Sequence, residues 1–134
     1  MSIYEGMLGK ILENPSDYKF SSVSATVLKE MAALGGIPQD YLDFLEEVGY
    51  GSMGDGYFML YGGLIEAEEL YNAEENPALH QVLLLGDNSS GDAVGFLTTD
   101  GWSIVEVWHE DLSIMPREEK TFAEFVRKVF SRDI

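Results

Sequence analysis

The stretch VLLLGDNSSGDAVGFLTTDGWSIVEVWH, residues Val82 to His109, decides how this chain folds. It holds three short apolar runs separated by two turn signals. Val82–Leu85 is continuously apolar and short enough for a strand buried on both faces. Ala93–Thr98 and Ser103–Trp108 are richer in β-branched and aromatic residues, as strands prefer. Asp100-Gly101 between them is a two-residue hairpin signal. A type I′ turn needs positive φ at both central positions, which Asp tolerates and Gly adopts freely. The stretch therefore predicts an antiparallel meander. With Asp100 and Gly101 as the loop, Thr99 faces Trp102, Leu97 faces Ile104, Gly95 faces Glu106 and Ala93 faces Trp108. Alternation along each strand then sorts the side chains. Val94, Phe96, Val105 and Val107 make an ordinary core face. Ala93, Gly95, Leu97, Trp102, Ile104, Glu106 and Trp108 make a mixed one, with room above Gly95 and Ala93. Either a loop or helix covers this second face, or a partner does.

At 134 residues the chain is one domain by size, 1–134, large enough for a real core. A hydrophobic content of 46% argues against disorder. The absence of cysteine excludes disulfides, thiolate metal sites and cysteine nucleophiles. No apolar run approaches the ~18 residues of a membrane span, and no basic segment precedes an apolar one at the start, so a cytoplasmic protein is expected. The charge stands out: 24 acidic residues against 8 basic, a net −16. Such a balance disfavours nucleic acid and anionic membranes as direct partners and favours a basic one. Solubility alone is the plainer explanation of the same number.

Around the meander the chain reads as helices. Tyr4, Met7, Leu8, Ile11 and Leu12 recur at helical spacing, ended by Asn14-Pro15. Ser16–Ser24 reads as a polar, turn-rich linker. A second helix is expected from Ala25 to Leu34, stopped by Gly35-Gly36. Pro38 suits the first turn of a third, with Tyr41, Leu42, Leu45 and Val48 as its buried stripe. Asp40, Asp43, Glu46 and Glu47 fall on its exposed face. Glu46 and Glu47 occupy the last turn, where a carboxylate costs ~0.3–1 kcal/mol against the helix dipole, a weak sign of some other demand. Tyr57–Tyr61 reads as a strand broken by Gly62-Gly63, and Ile65–Tyr71 as a short acidic helix. After a loop containing Pro116, Thr121-Phe122-Ala123-Glu124 is a capping box. Phe122, Phe125, Val126, Val129 and Phe130 then trace the clearest helix in the chain.

Three segments invite a chemical reading. Gly49–Gly54, GYGSMG, matches G-x-G-x-x-G, but it follows a helix and leads into a strand, so the helix N-terminus that would hold a pyrophosphate is missing. Asp55 would also repel a phosphate. Gly86–Gly91, GDNSSG, is flanked by Asp87 and Asp92, yet it lacks the twelve-residue calcium loop and its closing Glu, so it reads as a turn. His109-Glu110-Asp111, with His80 the only other histidine, makes a poor metal-ligand set. No nucleophile elbow or paired metal-binding histidine motif is present, and the reading is of a non-enzyme without metal or cofactor.

Taken in order, the chain resembles the SUKH superfamily, which includes the Smi–Knr cell-wall-regulator-like proteins. Ile37-Pro38-Gln39-Asp40-Tyr41-Leu42-Asp43-Phe44-Leu45, with glycines a few residues later, is similar to that family's "LP-x-x-Y-x-x-F-L … G" start. Leu85-Gly86-Asp87 with Gly91-Asp92 follows. Val105-Glu106-Val107-Trp108-His109-Glu110 resembles its "V-x-x-W/Y-x-H/D-x" strand end. Thr121-Phe122-Ala123-Glu124-Phe125-Val126 resembles "S-F-x-E-F-L". The likeness covers roughly residues 24–130, and the first helix is less typical of it. It implies an α+β domain with helices packed on one face of a central antiparallel sheet; with the residue patterns above, the expected fold is a meander of about four strands with N- and C-terminal helices. It also implies a bacterial immunity protein that binds and neutralises a toxin domain, often a nuclease. Some relatives are instead signalling or cell-wall scaffolds. The resemblance carries no catalytic residues, and Pro38, Tyr41, Phe44 and Gly86 read equally well as fold determinants.

The expected partner-binding residues follow from combining aromatic anchors with steering carboxylates. They are Trp102, Glu106 and Trp108 on the mixed sheet face, Asp87 and Asp92 at the strand-end loop, and Glu46 and Glu47 as a rim.

Overall fold

The meander predicted from Val82–His109 is the middle of a longer one. In a computed structural model of the chain, which describes residues 3–54 and 56–133, seven strands follow one another in a single sheet, each antiparallel to the next. They are β1 (Tyr18–Ser21), β2 (Tyr50–Met53), β3 (Phe58–Glu66), β4 (Val82–Asn88), β5 (Ala93–Leu97), β6 (Ser103–Val107) and β7 (Ile114–Pro116). Four helices accompany them: α1 (Glu5–Glu13), α2 (Ala25–Ala32), α3 (Gln39–Glu47) and α4 (Phe122–Phe130). The expected sheet of about four strands is thus too short by three. Asp55, read above as hostile to a phosphate, lies outside the described residues.

The strands that sequence reasoning left out are short or interrupted. β1 lies within the supposed linker; Tyr18 and Phe20 alternate with Lys19 and Ser21 and pack inward. β7 lies within the supposed loop, and its Pro116 is tolerated because the strand is at the sheet edge. β3 does not stop at Gly62-Gly63. It runs on to Glu66, and its register against β4 shifts between Leu60 and Ile65, where Gly63 has φ +137°. Glycine there makes a bulge possible instead of ending the strand. The expected acidic helix after it shrinks to a 3-10 turn, Ala67–Glu69, and a second such turn spans Pro77–Gln81.

The β5–β6 hairpin is displaced by one residue from the expected register. Leu97 pairs with Ser103, Phe96 with Ile104, Gly95 with Val105, Val94 with Glu106 and Ala93 with Val107. The cause lies in the threonines before the turn. Thr98 N and Oγ1 both donate to Gln81 O, and Thr99 Oγ1 donates to Gln81 Oε1, which holds both residues outside the ladder. Gly101 (φ +62°) and Trp102 (φ +59°) then take the two positive-φ positions, with Ser103 N donating to Asp100 O at 3.1 Å. Holding a non-glycine residue there costs about 1–3 kcal/mol. Packing offsets it: the Trp102 ring lies against Phe96, centroids 5.8 Å apart, and against Gly36.

One residue of slip exchanges the partners of every side chain across the hairpin. Val94 and Phe96 share a face with Ile104 and Glu106, not with Val105 and Val107 as expected. The space anticipated above Gly95 is absent too, since a Cβ there would meet the Leu83 carbonyl of β4.

The apolar side chains form two clusters. The first gathers Tyr4 and Met7 from the α1 end, Tyr41, Phe44 and Leu45 from α3, and Phe122, Phe125, Val126, Val129 and Phe130 from α4. These pack with Phe58, Leu60, Leu85, Val94, Phe96 and Ile104 of the strands. Rings meet mostly edge-on, as their quadrupoles favour; Phe122 has Tyr41 at 5.1 Å and Phe44 at 5.3 Å. Asp40 ties the helices together: its Oδ2 accepts from Ala123 N at the start of α4, and its carbonyl accepts from Tyr4 Oη. The second cluster gathers Val82, Leu84, Ala93, Val105 and Val107 with Ala67, Ala73 and Leu79 of the segment between β3 and β4. Leu84 and Leu85 belong to different clusters, so β4 is buried on both sides.

Candidate functional site

Of the polar segment Gly86–Gly91, expected to be a turn throughout, Gly86–Asn88 extend β4, and the turn after them is organised by the Asn88 side chain. Asn88 Oδ1 accepts from Ser90 N at 2.9 Å and from Asp92 N at 3.1 Å, the usual way an Asn mimics a backbone turn. This fixes Asp92, whose Oδ1 accepts from His109 N at 3.0 Å and faces His109 Nδ1 at 2.7 Å. The His109 backbone N–H, more than the imidazole contacts, holds the Asp92 carboxyl below its ordinary value. Two loops distant in sequence are thereby pinned together at one end of the sheet.

Next to this pair stands Trp108, 41% exposed. Its backbone is held firmly: its N–H donates to Ser113 O and its carbonyl accepts from Leu112 N at 2.8 Å. Leu112 adopts φ +59° and is buried, and Asn76 Nδ2 donates to its carbonyl. Asp111 Oδ1 accepts from Ser113 N in the same turn, chiefly through which its carboxyl is held low. The tryptophan is therefore presented on a fixed turn beside Asp92, Glu110 and Asp111. Close by, Asp87 accepts from Tyr61 Oη and Tyr71 Oη donates to Gly91 O at 3.2 Å. Burial first, then the bond to Asp87, pushes the Tyr61 phenol far above its ordinary value, so it remains a donor.

The other expected residues lie apart from this corner. Glu106 pairs with Arg117 Nη1 at 2.6 Å, and the same guanidinium bonds Glu119 at 2.7 Å while resting over the Phe125 ring, 5.2 Å from its centroid. Glu119 is buried, and its Oε2 finds no hydrogen-bond partner among the described residues. Such a group ties β6 and the chain after β7 to the helices. Trp102 packs against the first cluster beneath its strained turn. Glu46 and Glu47 are exposed at the end of α3, and Glu46 lines a shallow groove of about 340 Å³ with Leu28 and Leu42. Of the seven residues expected, Asp87, Asp92 and Trp108 lie at the same end of the sheet, at the end of β4, before β5 and after β6.

Sequence reasoning missed the contribution of the segment between β3 and β4. Its two 3-10 turns enclose a groove of about 600 Å³ lined by Glu68, Tyr71, Glu74, Pro77 and His80. His80 Nδ1 lies 3.0 Å from Glu68, and the Glu66 carboxyl, bonded to Glu68, is raised above its ordinary value. The signal in the sequence was the density of Glu around Tyr71, which reads as a solvated face until the chain is folded. Among the described residues no group of three or more His, Asp or Glu is placed to hold a metal ion, and no helix is long and apolar enough to cross a membrane. No protein-family model matches the sequence, and no curated protein matches it.

Proposed function

We propose that the chain is a non-enzymatic protein-binding domain, an immunity protein of the Smi–Knr-like kind that binds and neutralises a basic toxin domain, foremost a nuclease. One observation carries this reading: an exposed tryptophan, Trp108, is held on a pinned turn among Asp92, Glu110 and Asp111 in a chain of net charge −16. Aromatic side chains of this kind supply affinity at protein interfaces, while carboxylates speed encounter and reject wrong partners. A nuclease domain carries positive charge to hold phosphates and is complementary to such a surface. The apolar clustering of α1, α3 and α4 against alternate strand residues agrees with the arrangement that the family resemblance implies. A regulatory or scaffold module docking a cellular protein would use the same anchor, and the outcome of binding separates the two.

The test is to co-produce the chain with the toxin domain encoded beside its gene, measuring growth in cells and binding by calorimetry. Growth should be restored, and Trp108→Ala should weaken binding by about 2 kcal/mol or more with the fold intact. Failure to bind any neighbouring toxin would overturn the immunity reading in favour of the scaffold one.

A further inference from the structure

The positive charges of this chain are segregated. Residues 30–116 contain 17 Asp and Glu and no Lys or Arg. All eight Lys and Arg lie in the first 29 residues or from Arg117 onward. Those ends build α1, β1, α2 and α4, and there the ion pairs Arg117–Glu106, Lys128–Glu118 and Arg132–Asp17 form. The segment that covers the second cluster has no such compensation. Among the described residues, its carboxylates have imidazoles within ion-pair distance: His80 beside Glu68 and, at the rim, His109 beside Asp92.

This side also exposes apolar side chains. Leu70, in the turn after β3, is 50% exposed. Met59 is 44% exposed; it lies between Phe58 and Leu60 of the first cluster and so projects from the opposite face, paired with Asp87. Between them are Tyr61 and Tyr71, both bonded to the β4–β5 end, and the Glu68–Glu74 groove opens beside Tyr71. Lys19, on the same row of the sheet, bounds the patch at the β1 edge, two strands or roughly 10 Å beyond Met59.

We infer that this face, from Met59 across Leu70 and Tyr71 to the groove between Glu68 and Glu74, is the docking surface for a Lys- and Arg-rich protein surface. The inference deepens the proposed function by naming the face that meets the basic partner. Charge complementarity selects the occupant. A face with exposed Leu and Met beside Glu68, Glu74 and Asp87, where the one bounding cation is Lys19 at the β1 edge, repels anionic surfaces and gives an arginine stem apolar wall and carboxylate together. α3 carries acids as well, but Lys29 of α2 lines the groove beside its Glu46.

The experiment uses deca-arginine peptide as the probe and the whole chain, with affinity followed by calorimetry at low salt. Two double variants make the same change in net charge: Glu68→Lys with Glu74→Lys on this face, and Glu46→Lys with Glu47→Lys on α3. Circular dichroism checks each fold. The first pair should weaken peptide binding at least tenfold and the second less than threefold. Equal losses, or a greater loss from the α3 pair, would overturn the inference, because binding would then follow net charge or the helical side. The peptide arm needs no toxin. A chain that binds no neighbouring toxin but still shows the tenfold difference would lose the immunity function and keep the docking face.

Discussion

The two sides of the sheet are covered by different means. Against one, three helices bring an aromatic cluster in which Phe122 touches Tyr41, Phe44, Phe96 and Phe125. Against the other, the segment between β3 and β4 lays down Ala67, Ala73 and Leu79 with only two 3-10 turns as regular structure. Large rings with many neighbours make the first side hard to alter without unfolding. Small side chains on an irregular cover make the second tolerant of change at its surface. Recognition belongs where the surface can vary and stability where it cannot.

Truncating one residue from each side is the severest test of that contrast. Phe122→Ala should cost about 3–5 kcal/mol and lower the whole urea transition. Leu79→Ala, equally buried, should cost nearer ~2 kcal/mol, because an irregular cover can collapse around the gap. Amide exchange in residues 67–81 should quicken in that variant before the sheet opens. Equal costs would mean that the cover is as much part of the core as the helices.

Removing the charge that joins the edge hairpin to the helices comes next. Arg117→Ala leaves the buried Glu119 without its partner and should cost about 3 kcal/mol in thermal or urea unfolding. Adding Glu119→Gln should recover part of the loss. No recovery would show that the guanidinium matters through its packing on Phe125 and not through its charge.

The two tryptophans sharpen the comparison further. Trp102→Ala should lose about 2 kcal/mol of stability, since the ring packs on Phe96 and anchors a positive-φ turn. Trp108→Ala should change stability by less than ~0.5 kcal/mol and act on partner binding. The reverse assignment would place the anchor on the helical side.

The smallest effect concerns acid. Asp92 has its carboxyl lowered in the folded chain, so its contribution is present above the ordinary carboxylate range and is lost as pH falls through the lowered value. Asp92→Asn should therefore lower stability modestly at neutral pH and flatten its loss as the pH falls through and below the ordinary carboxylate range, the two proteins converging in acid. An unchanged acid limb would mean that the His109 contact does not hold the charged form.

What the sequence made legible follows from how many residues carry each signal. The strands β4, β5 and β6 and the helix α4 each present an unbroken pattern and lie where expected, except that β4 runs on through Asn88, past the end of its apolar run. β1 and β7 give three or four residues among polar ones, too few for a period to emerge. Gly62-Gly63 signals a break because glycine weakens a strand, and a bulge uses that same weakness. The hairpin slip came from Gln81, whose bonds to Thr98 and Thr99 cross from before β4 to after β5 and leave no local mark. The site was legible in part for the same reason. Asp87, Asp92 and Trp108 flank turns whose chemistry is local, whereas the partner that turns Glu106 into a structural pair, Arg117, comes from beyond β7.

Docking of a basic surface is proposed on the side of the sheet opposite α3 and α4. The most direct measurement is to titrate the isotope-labelled chain with deca-arginine peptide and follow every backbone amide by nuclear magnetic resonance. Shifts should gather in residues 66–81 and 87–92 and in the Trp108–Ser113 turn, and leave α3 and α4 unmoved. Shifts centred on α3, or scattered over acidic positions throughout the chain, would contradict it.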